Sequence, residues 1–362
     1  HGGTFQLLRF DGAALHIEVA AAAASPGVGS LADLNDDGVP EVIMGLHDYY
    51  VFCYACGVRY LDFQVFAWDA ANQHMREISL QPLPADYPAY QPVRRAIELA
   101  QADLWPDALA QIEEAQRLAD ANPAGDETLA WDAAIIRLYH DAWQAEINQA
   151  PYPLLTNIFA GEYAPALDIM RGYTHDEIFS VETPLIQGTV AEGFEQWMAD
   201  YILRGTDAAI AAMPDLAAAY YLRAWAIFLK NPGDPQIQGD LVQAAALDPN
   251  ELLFAQAAAP PPVRIQFAPG AISATVQGEV DAYESDDYVL RALAGQTMTV
   301  VITSANNDVL LTIVGADGVP LTNGLMSGAT SWTGTLPATQ DYIIRALGTA
   351  QPASYTLTVT IE

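Results

Sequence analysis

The spacing of apolar residues changes twice along this chain, and that change constrains the fold more than any other feature. Residues 1–82 carry short aromatic and β-branched runs separated by turn residues, which predict β-strands. Residues 86–258 carry Ala and Leu at helical spacing. After a proline-rich linker predicted at 259–263, residues 264–362 return to strand patterns with regular turns. We therefore expect a multidomain α and β protein.

The net negative charge of the chain limits the kinds of molecule that it can bind. The chain has 362 residues, with 45 Asp and Glu against 14 Lys and Arg, for a net charge of −31. Such a chain repels nucleic acid and anionic membranes, and it attracts divalent cations. No apolar run approaches the ~20 residues that cross a bilayer. The sequence thus predicts no nucleic-acid partner and no membrane span.

The N-terminal segment contains an internal repeat. Residues 5–11, FQLLRFD, align with residues 63–69, FQVFAWD, and His16 aligns with His74, so that the offset is 63 − 5 = 58 throughout. A spacing of this size indicates a repeated supersecondary unit such as a propeller blade. The alternative is two amphipathic strands that are similar by chance.

The stretch LADLNDDGVPEV, residues 31–42, places oxygen donors at alternate positions of one loop: Asp33, Asn35, Asp37, the carbonyl of Val39, and Glu41. Ca²⁺ prefers such oxygen ligands around a sharp turn, and Gly38 supplies the turn. An EF-hand is rejected, because its twelfth position would be Met44 instead of Glu and a strand follows. The alternative to a calcium loop is an Asx-rich turn that holds no ion.

This loop and the strand after it resemble the FG-GAP or VCBS-type repeats of integrin-like β-propellers, over about residues 27–80. The resemblance implies a propeller-like fold for residues 1–82 and calcium ligands at the five positions above. Such propellers need several blades, whereas this chain carries little more than one. Its strand edges would need further blades, packing on the helical segment, or pairing with another copy of the chain.

Two cysteines, Cys53 and Cys56, form a lone CxxC. A CxxC without further cysteines supplies only two zinc ligands. A local disulfide or inert pair, a shared or weak metal site, and redox chemistry remain as interpretations, of which we expect the first.

The middle segment resembles tetratricopeptide repeats over about residues 89–255. The stretches that carry the resemblance are LWPDALAQIEEA, GEYAPALDI and AAALDPN. It implies a central α-solenoid that binds other proteins through a concave face; an architectural spacer is the alternative.

The last segment resembles the bacterial pre-peptidase C-terminal (PPC) domain over residues 264–362, which implies an antiparallel β-sandwich without catalysis. The residues that carry the resemblance are Gly278, Asp286 or Asp287, Tyr288, Gly295 and Gln296.

No HExxH, GxSxG, Walker or Rossmann motif is present in the sequence. We therefore expect a non-enzymatic, Ca²⁺-binding scaffold or adhesion protein that is extracellular or at the cell surface. Its partners would be proteins, including other copies of itself. The alternative is the accessory region of a larger secreted hydrolase.

Overall fold

The computed structural model describes residues 2–23, 28–45, 50–120, 127–258 and 262–362. The chain divides into two compact units, His1–Ala258 and Ala259–Glu362. Of the linker predicted at 259–263, residues 259–261 lie outside the described residues, and Val263 belongs to a short strand.

The N-terminal strands form a hairpin and a four-stranded antiparallel sheet. The strands are β1 (Gly3–Phe10), β2 (Leu15–Ala23), β3 (Gly29–Ala32), β4 (Glu41–Gly45), β5 (Phe63–Asp69) and β6 (His74–Ile78). β1 pairs with β2, and the order β3-β4-β5-β6 makes a four-stranded antiparallel meander. Within the described residues, no sheet closes into a propeller.

The 58-residue repeat is visible in the turns as well as in the strands. Asp11 Oδ1 accepts from the N–H groups of Ala13 and Ala14, both at 2.8 Å. Asp69 Oδ1 accepts from Ala71 and Asn72 in the same way, at 2.9 and 3.0 Å. Because 69 − 11 = 58, the β1–β2 hairpin corresponds to the β5–β6 hairpin.

One face of the β1–β2 hairpin packs on the four-stranded sheet. Phe5 and Leu7 of the hairpin lie against a buried cluster that includes Val42 and Met44 of β4. The contact is close enough that a Cβ added at Gly29 would meet the Phe5 ring at 2.7 Å. The hairpin and the sheet therefore stack as two layers.

The opposite face of the sheet packs on a helix. Val65, Ala67 and Ile78 share a cluster with Trp131 and Ile135. The helices of this unit are α1 (Tyr90–Ala100), α2 (Trp105–Asp120), α3 (Glu127–Ile147), α4 (Pro153–Phe159), α5 (Tyr163–Met170), α6 (His175–Ile178), α7 (Glu195–Ala212), α8 (Ala217–Lys230), α9 (Gln236–Leu247) and α10 (Leu252–Ala258). Consecutive long helices pack on one another, notably α1 on α2, α7 on α8 and α8 on α9.

The strands and the helices share one core, so the boundary expected between 82 and 86 does not separate two compact units. Val51, Val58 and Leu83, which lie in the segments that connect the strands to one another and to α1, belong to the same buried cluster as Leu104, directly before α2, and Trp143 of α3. The physical reason is that a single sheet has two apolar faces, and the face without the hairpin needs a cover.

The second unit consists of two antiparallel sheets over one core. Its elements are β7 (Val263–Arg264), β8 (Ser273–Val280), β9 (Ser285–Ala292), β10 (Thr297–Ser304), β11 (Val309–Gly315), β12 (Pro320–Thr322), α11 (Gly324–Ser327), β13 (Ser331–Thr335), β14 (Gln340–Gly348) and β15 (Ala353–Ile361). The sheet orders are β13-β10-β15-β8 and β12-β11-β14-β9-β7, and β7 pairs in parallel with β9. Inward side chains such as Val300 and Leu357 meet Leu311 and Ile344 from the other sheet.

A candidate calcium loop and its surroundings

The acidic loop connects β3 to β4, the first two strands of the four-stranded sheet. Asp36 and Gly38 take positive φ values of 59° and 85°, which turn the backbone sharply at the middle of the loop. Asp tolerates this conformation better than most residues, and glycine adopts it freely. The turn therefore brings both ends of the loop back to the edge of the sheet.

Hydrogen bonds close the loop. Asp33 accepts from the N–H of Asp37 at 3.1 Å and from that of Gly38 at 2.9 Å, one on each carboxylate oxygen. Asn35 Oδ1 also accepts from the N–H of Asp37, and Asn35 Nδ2 donates to Asp37 Oδ2 at 2.9 Å. Asp37 Oδ1 accepts from the N–H of Val39 at 2.8 Å. Four of the five predicted positions thus belong to one network of Asx turns, in which Val39 takes part through its N–H; Glu41 lies outside this network.

Glu41 differs from the other carboxylates of the loop because it is only 1% exposed. Its Oε2 accepts from the N–H of Leu34 at 2.8 Å. Burial raises its pKa above the ordinary value, and the negative charges of Asp37 and Asp33 raise it further. The loop therefore gathers negative charge around a buried carboxylate.

The side chains of the loop are of the oxygen-bearing types that a hard divalent cation prefers. Each carboxylate oxygen of Asp33 accepts a single hydrogen bond from the backbone, and such an oxygen has two lone pairs. An ion at this loop would also neutralise the charge around Glu41. In the described residues, no group of three or more His, Cys, Asp or Glu side chains is arranged so that it could hold a metal ion. The loop as it stands is held by its own turns.

Cys53 and Cys56 form a disulfide across a 3₁₀ turn, Tyr54–Cys56, with their Cα atoms 5.2 Å apart. The turn lies between Tyr50 and Arg59, which form an isolated bridge. Arg59 also pairs with the buried Glu146 of α3, so the disulfide turn is tied to the helices.

A polar cluster where the strands meet the helices was not predicted from the sequence. The Tyr60 hydroxyl donates to Asp103 at 2.5 Å, and the Tyr139 hydroxyl donates to Asp62 at 2.8 Å. Burial raises the pKa of Asp103 to about 6. The partners are 43 and 77 residues apart, so no local spacing could have indicated them.

This cluster borders a cavity of about 350 Å³ between the sheet and the helices. Trp105 stacks on Tyr139, with ring centroids 4.2 Å apart. Asp103 has a positive φ of 57°, and it follows α1 in a tight connection to α2. All four polar side chains of the cluster have hydrogen-bond partners, which is typical of a junction between structural layers.

The residues that suggested a PPC domain hold the second unit together. The Tyr355 hydroxyl donates to Asp286 at 2.6 Å and lies 2.8 Å from the Tyr288 hydroxyl, across the two sheets. A Cβ at Gly278 would meet the Tyr355 hydroxyl at 2.5 Å. Gln296 accepts from the N–H of Leu293 in the turn before β10.

Comparison with known proteins gives partial likenesses only. No protein-family model matches the chain, and neither does any curated protein. Solved structures similar to part of it include PliG, a periplasmic lysozyme inhibitor of g-type lysozyme. The protein from Aeromonas hydrophila is 29% identical and aligns over 28% of this chain and 95% of its own, with a TM-score of 0.25.

PliG from Salmonella Typhimurium is 24% identical, over 28% of this chain and 96% of its own, with a TM-score of 0.22. A mutant of the Escherichia coli protein is 26% identical over the same shares, also with a TM-score of 0.22. No helix in the described part of the chain is long and apolar enough to cross a membrane.

Proposed function

We propose that this protein is a non-enzymatic, extracellular scaffold that binds Ca²⁺ at the loop of residues 33–41 and acts through contacts with other proteins. In this proposal Asp33, Asn35, Asp37 and Glu41 supply side-chain oxygens and Val39 supplies its carbonyl. The observation that carries it is the buried carboxylate of Glu41, whose pKa is raised by burial and by two neighbouring carboxylates. A divalent cation would turn this unfavourable charge into a favourable one.

The position of the loop supports a stabilising role for the ion. The loop joins β3 to β4, and β4 is buried along its whole length between the hairpin and β5. An ion that fixes the loop would therefore fix the start of the central strand. The four-stranded sheet would then become more stable without any change in its packing.

The extracellular part of the proposal is supported by the disulfide between Cys53 and Cys56. Such bonds persist mainly in oxidising compartments. We further propose that the helices form tetratricopeptide-like repeats for protein contacts and that the second unit is a PPC-like sandwich.

The test is thermal unfolding of the whole chain with chelator and with millimolar Ca²⁺. Extracellular calcium modules bind at roughly 10⁻⁴–10⁻³ M. A ligand at about 100 times its dissociation constant adds about 2.7 kcal/mol to the stability of the folded state. We expect the first unit to melt several degrees higher with Ca²⁺, and Asp37→Ala to remove the increase. Identical melts in both buffers would refute the proposal.

A further inference from the structure

The cavity beside the Tyr60–Asp103 pair has the size of a small-molecule site. It lies within the unit His1–Ala258, where residues of β5 and β6 face residues of α1, α2 and α3, and its volume is about 350 Å³. Ligand sites in proteins have volumes from about 300 Å³ upward. The cavity is therefore large enough for one small ligand or for one long side chain of a partner.

The charged side chains that line this cavity are all acidic. They are Asp62, Glu77 and Asp103, and in the described part of the chain no Lys, Arg or His joins them in the lining. Asp62 and Asp103 each accept from a tyrosine hydroxyl, at 2.8 and 2.5 Å. A carboxylate has about four acceptor positions, so both can accept further hydrogen bonds. The cavity therefore offers acceptors and negative charge to a ligand.

The charge of Asp103 is poorly compensated by the protein itself. Burial raises its pKa to about 6, and the nearby charge of Asp62 acts in the same direction. The hydrogen bond from Tyr60 and the charge of Arg204, whose guanidinium lies over the Tyr60 ring, lower the pKa without offsetting the burial. At neutral pH the ionised carboxylate thus lies where its charge is disfavoured, and a cation in the cavity would remove that cost.

The walls of the cavity favour an organic cation over a metal ion. Trp105 and Tyr139 stack with their ring centroids 4.2 Å apart, and Phe63 meets Tyr139 edge-on at 5.1 Å. The aliphatic part of the lining consists of Leu61, Val65, Ile78, Leu80 and Ile135. Such walls hold no metal ligands, whereas they suit an alkyl chain, and aromatic rings attract ammonium groups.

The cavity opens to solvent on one side. Glu77, Ser79 and Gln101 line it and are exposed, whereas Val65 and Ile78 are buried. An elongated ligand can therefore enter between these three residues, with its polar end directed toward the buried carboxylate and its chain along the apolar walls.

We propose that this cavity binds an alkylammonium group, with the ammonium at Asp62 and Asp103 and the alkyl chain between the apolar and aromatic walls. The group belongs either to a free amine or to a lysine side chain of a partner protein, because both present the same chemistry. The inference goes beyond the proposed calcium-binding function and does not depend on it, since the two sites share no residue.

The experiment is a calorimetric titration of the full chain in chelator. The probe is n-butylammonium, with n-butanol as the neutral molecule of the same length and potassium as a cation without a chain. We expect one n-butylammonium per chain, and at least tenfold weaker binding of n-butanol and of potassium. A lysine blocked at its backbone amine and carboxyl groups identifies the source: binding as tight as that of n-butylammonium assigns the cavity to a lysine side chain, and weaker binding assigns it to a free amine.

Asp103→Asn and Asp86→Asn form a matched pair of variants. Each removes one negative charge from the same unit, but Asp86 is exposed and does not line the cavity. We expect at least tenfold weaker binding of n-butylammonium for Asp103→Asn and nearly unchanged binding for Asp86→Asn. Asp62→Asn is a second variant at the cavity and should also weaken binding.

Three outcomes would overturn the proposal: no binding of n-butylammonium, equal binding of n-butanol, or equal weakening by Asp103→Asn and Asp86→Asn. Asp37→Ala, which changes a proposed calcium ligand, should bind n-butylammonium as the parent chain does. The two proposals can therefore fail separately.

Discussion

The two units of the 58-residue repeat have similar strands and different surroundings. In the second repeat, the β5 strand is covered on one face by the β1–β2 hairpin and on the other by α3. In the first repeat, the described residues cover β1 on one face, and Leu8 and Phe10 on its other face are exposed. The comparison teaches that burial in a repeat is determined by the neighbours of each repeat, since the two segments share the same alternation of side chains along their first strand.

The equivalent positions Phe66 and Leu8 give the sharpest test of this difference. Phe66→Ala removes a ring between the sheet and the hairpin, and we expect it to cost about 3 kcal/mol of unfolding free energy. Leu8→Ala removes an exposed side chain and should change stability by no more than about 0.5 kcal/mol. Chemical denaturation, followed at the unfolding transition of the compact unit His1–Ala258, measures both changes in unfolding free energy. Equal costs would mean that the two faces are covered alike.

The contact between the segment before β5 and the helices should make the stability of the unit His1–Ala258 depend on pH. Because burial raises the pKa of Asp103 to about 6, its contribution to stability is fully present below its unfolded pKa and is lost as the pH rises through about 6. Asp103→Asn keeps an acceptor for Tyr60 and a residue that tolerates positive φ. We expect it to raise stability by about 2 kcal/mol at pH 7 and to change it little at pH 4.

Unfolding of Asp103→Asn and of the parent chain across pH 4–8 provides the measurement. Asp62→Asn, which changes the other tyrosine–carboxylate pair of the cluster, is the matched control for removal of a charge. The unfolding free energy of the parent chain should fall relative to that of Asp103→Asn between pH 5 and 7. If the difference between the two chains does not change over this range, the pKa of Asp103 is not raised by burial.

A smaller effect on stability is expected at the acidic loop of residues 33–41. The raised pKa of Glu41 means that its contribution to stability is lost as the pH rises through that raised value. Glu41→Gln should therefore melt slightly higher than the parent chain at pH 7 in chelator. With Ca²⁺ the order should reverse, because the parent chain gains the ion. If Glu41→Gln melts lower in both buffers, Glu41 has only a structural role at the loop.

The sequence was informative where a structure depends on neighbouring residues. The strands, the repeat and the alternation of Asp33, Asn35 and Asp37 could be interpreted locally, because turns and strand patterns are local. The burial of Glu41 could not, since it depends on how the start of β4 packs. The pairing of Tyr60 with Asp103 could not be predicted either, because it joins the segment before β5 to the connection between α1 and α2, 43 residues further along the chain.

Calcium binding at the loop is the central claim, and isothermal titration of the full chain with Ca²⁺ tests it most directly. Asp37→Asn and Asp36→Asn form a matched pair, since each removes one negative charge from adjacent positions while only Asp37 is a proposed ligand. We expect one Ca²⁺ per chain, at least tenfold weaker binding for Asp37→Asn, and nearly unchanged binding for Asp36→Asn. No binding by the parent chain at millimolar Ca²⁺, or equal weakening by both variants, would contradict the account.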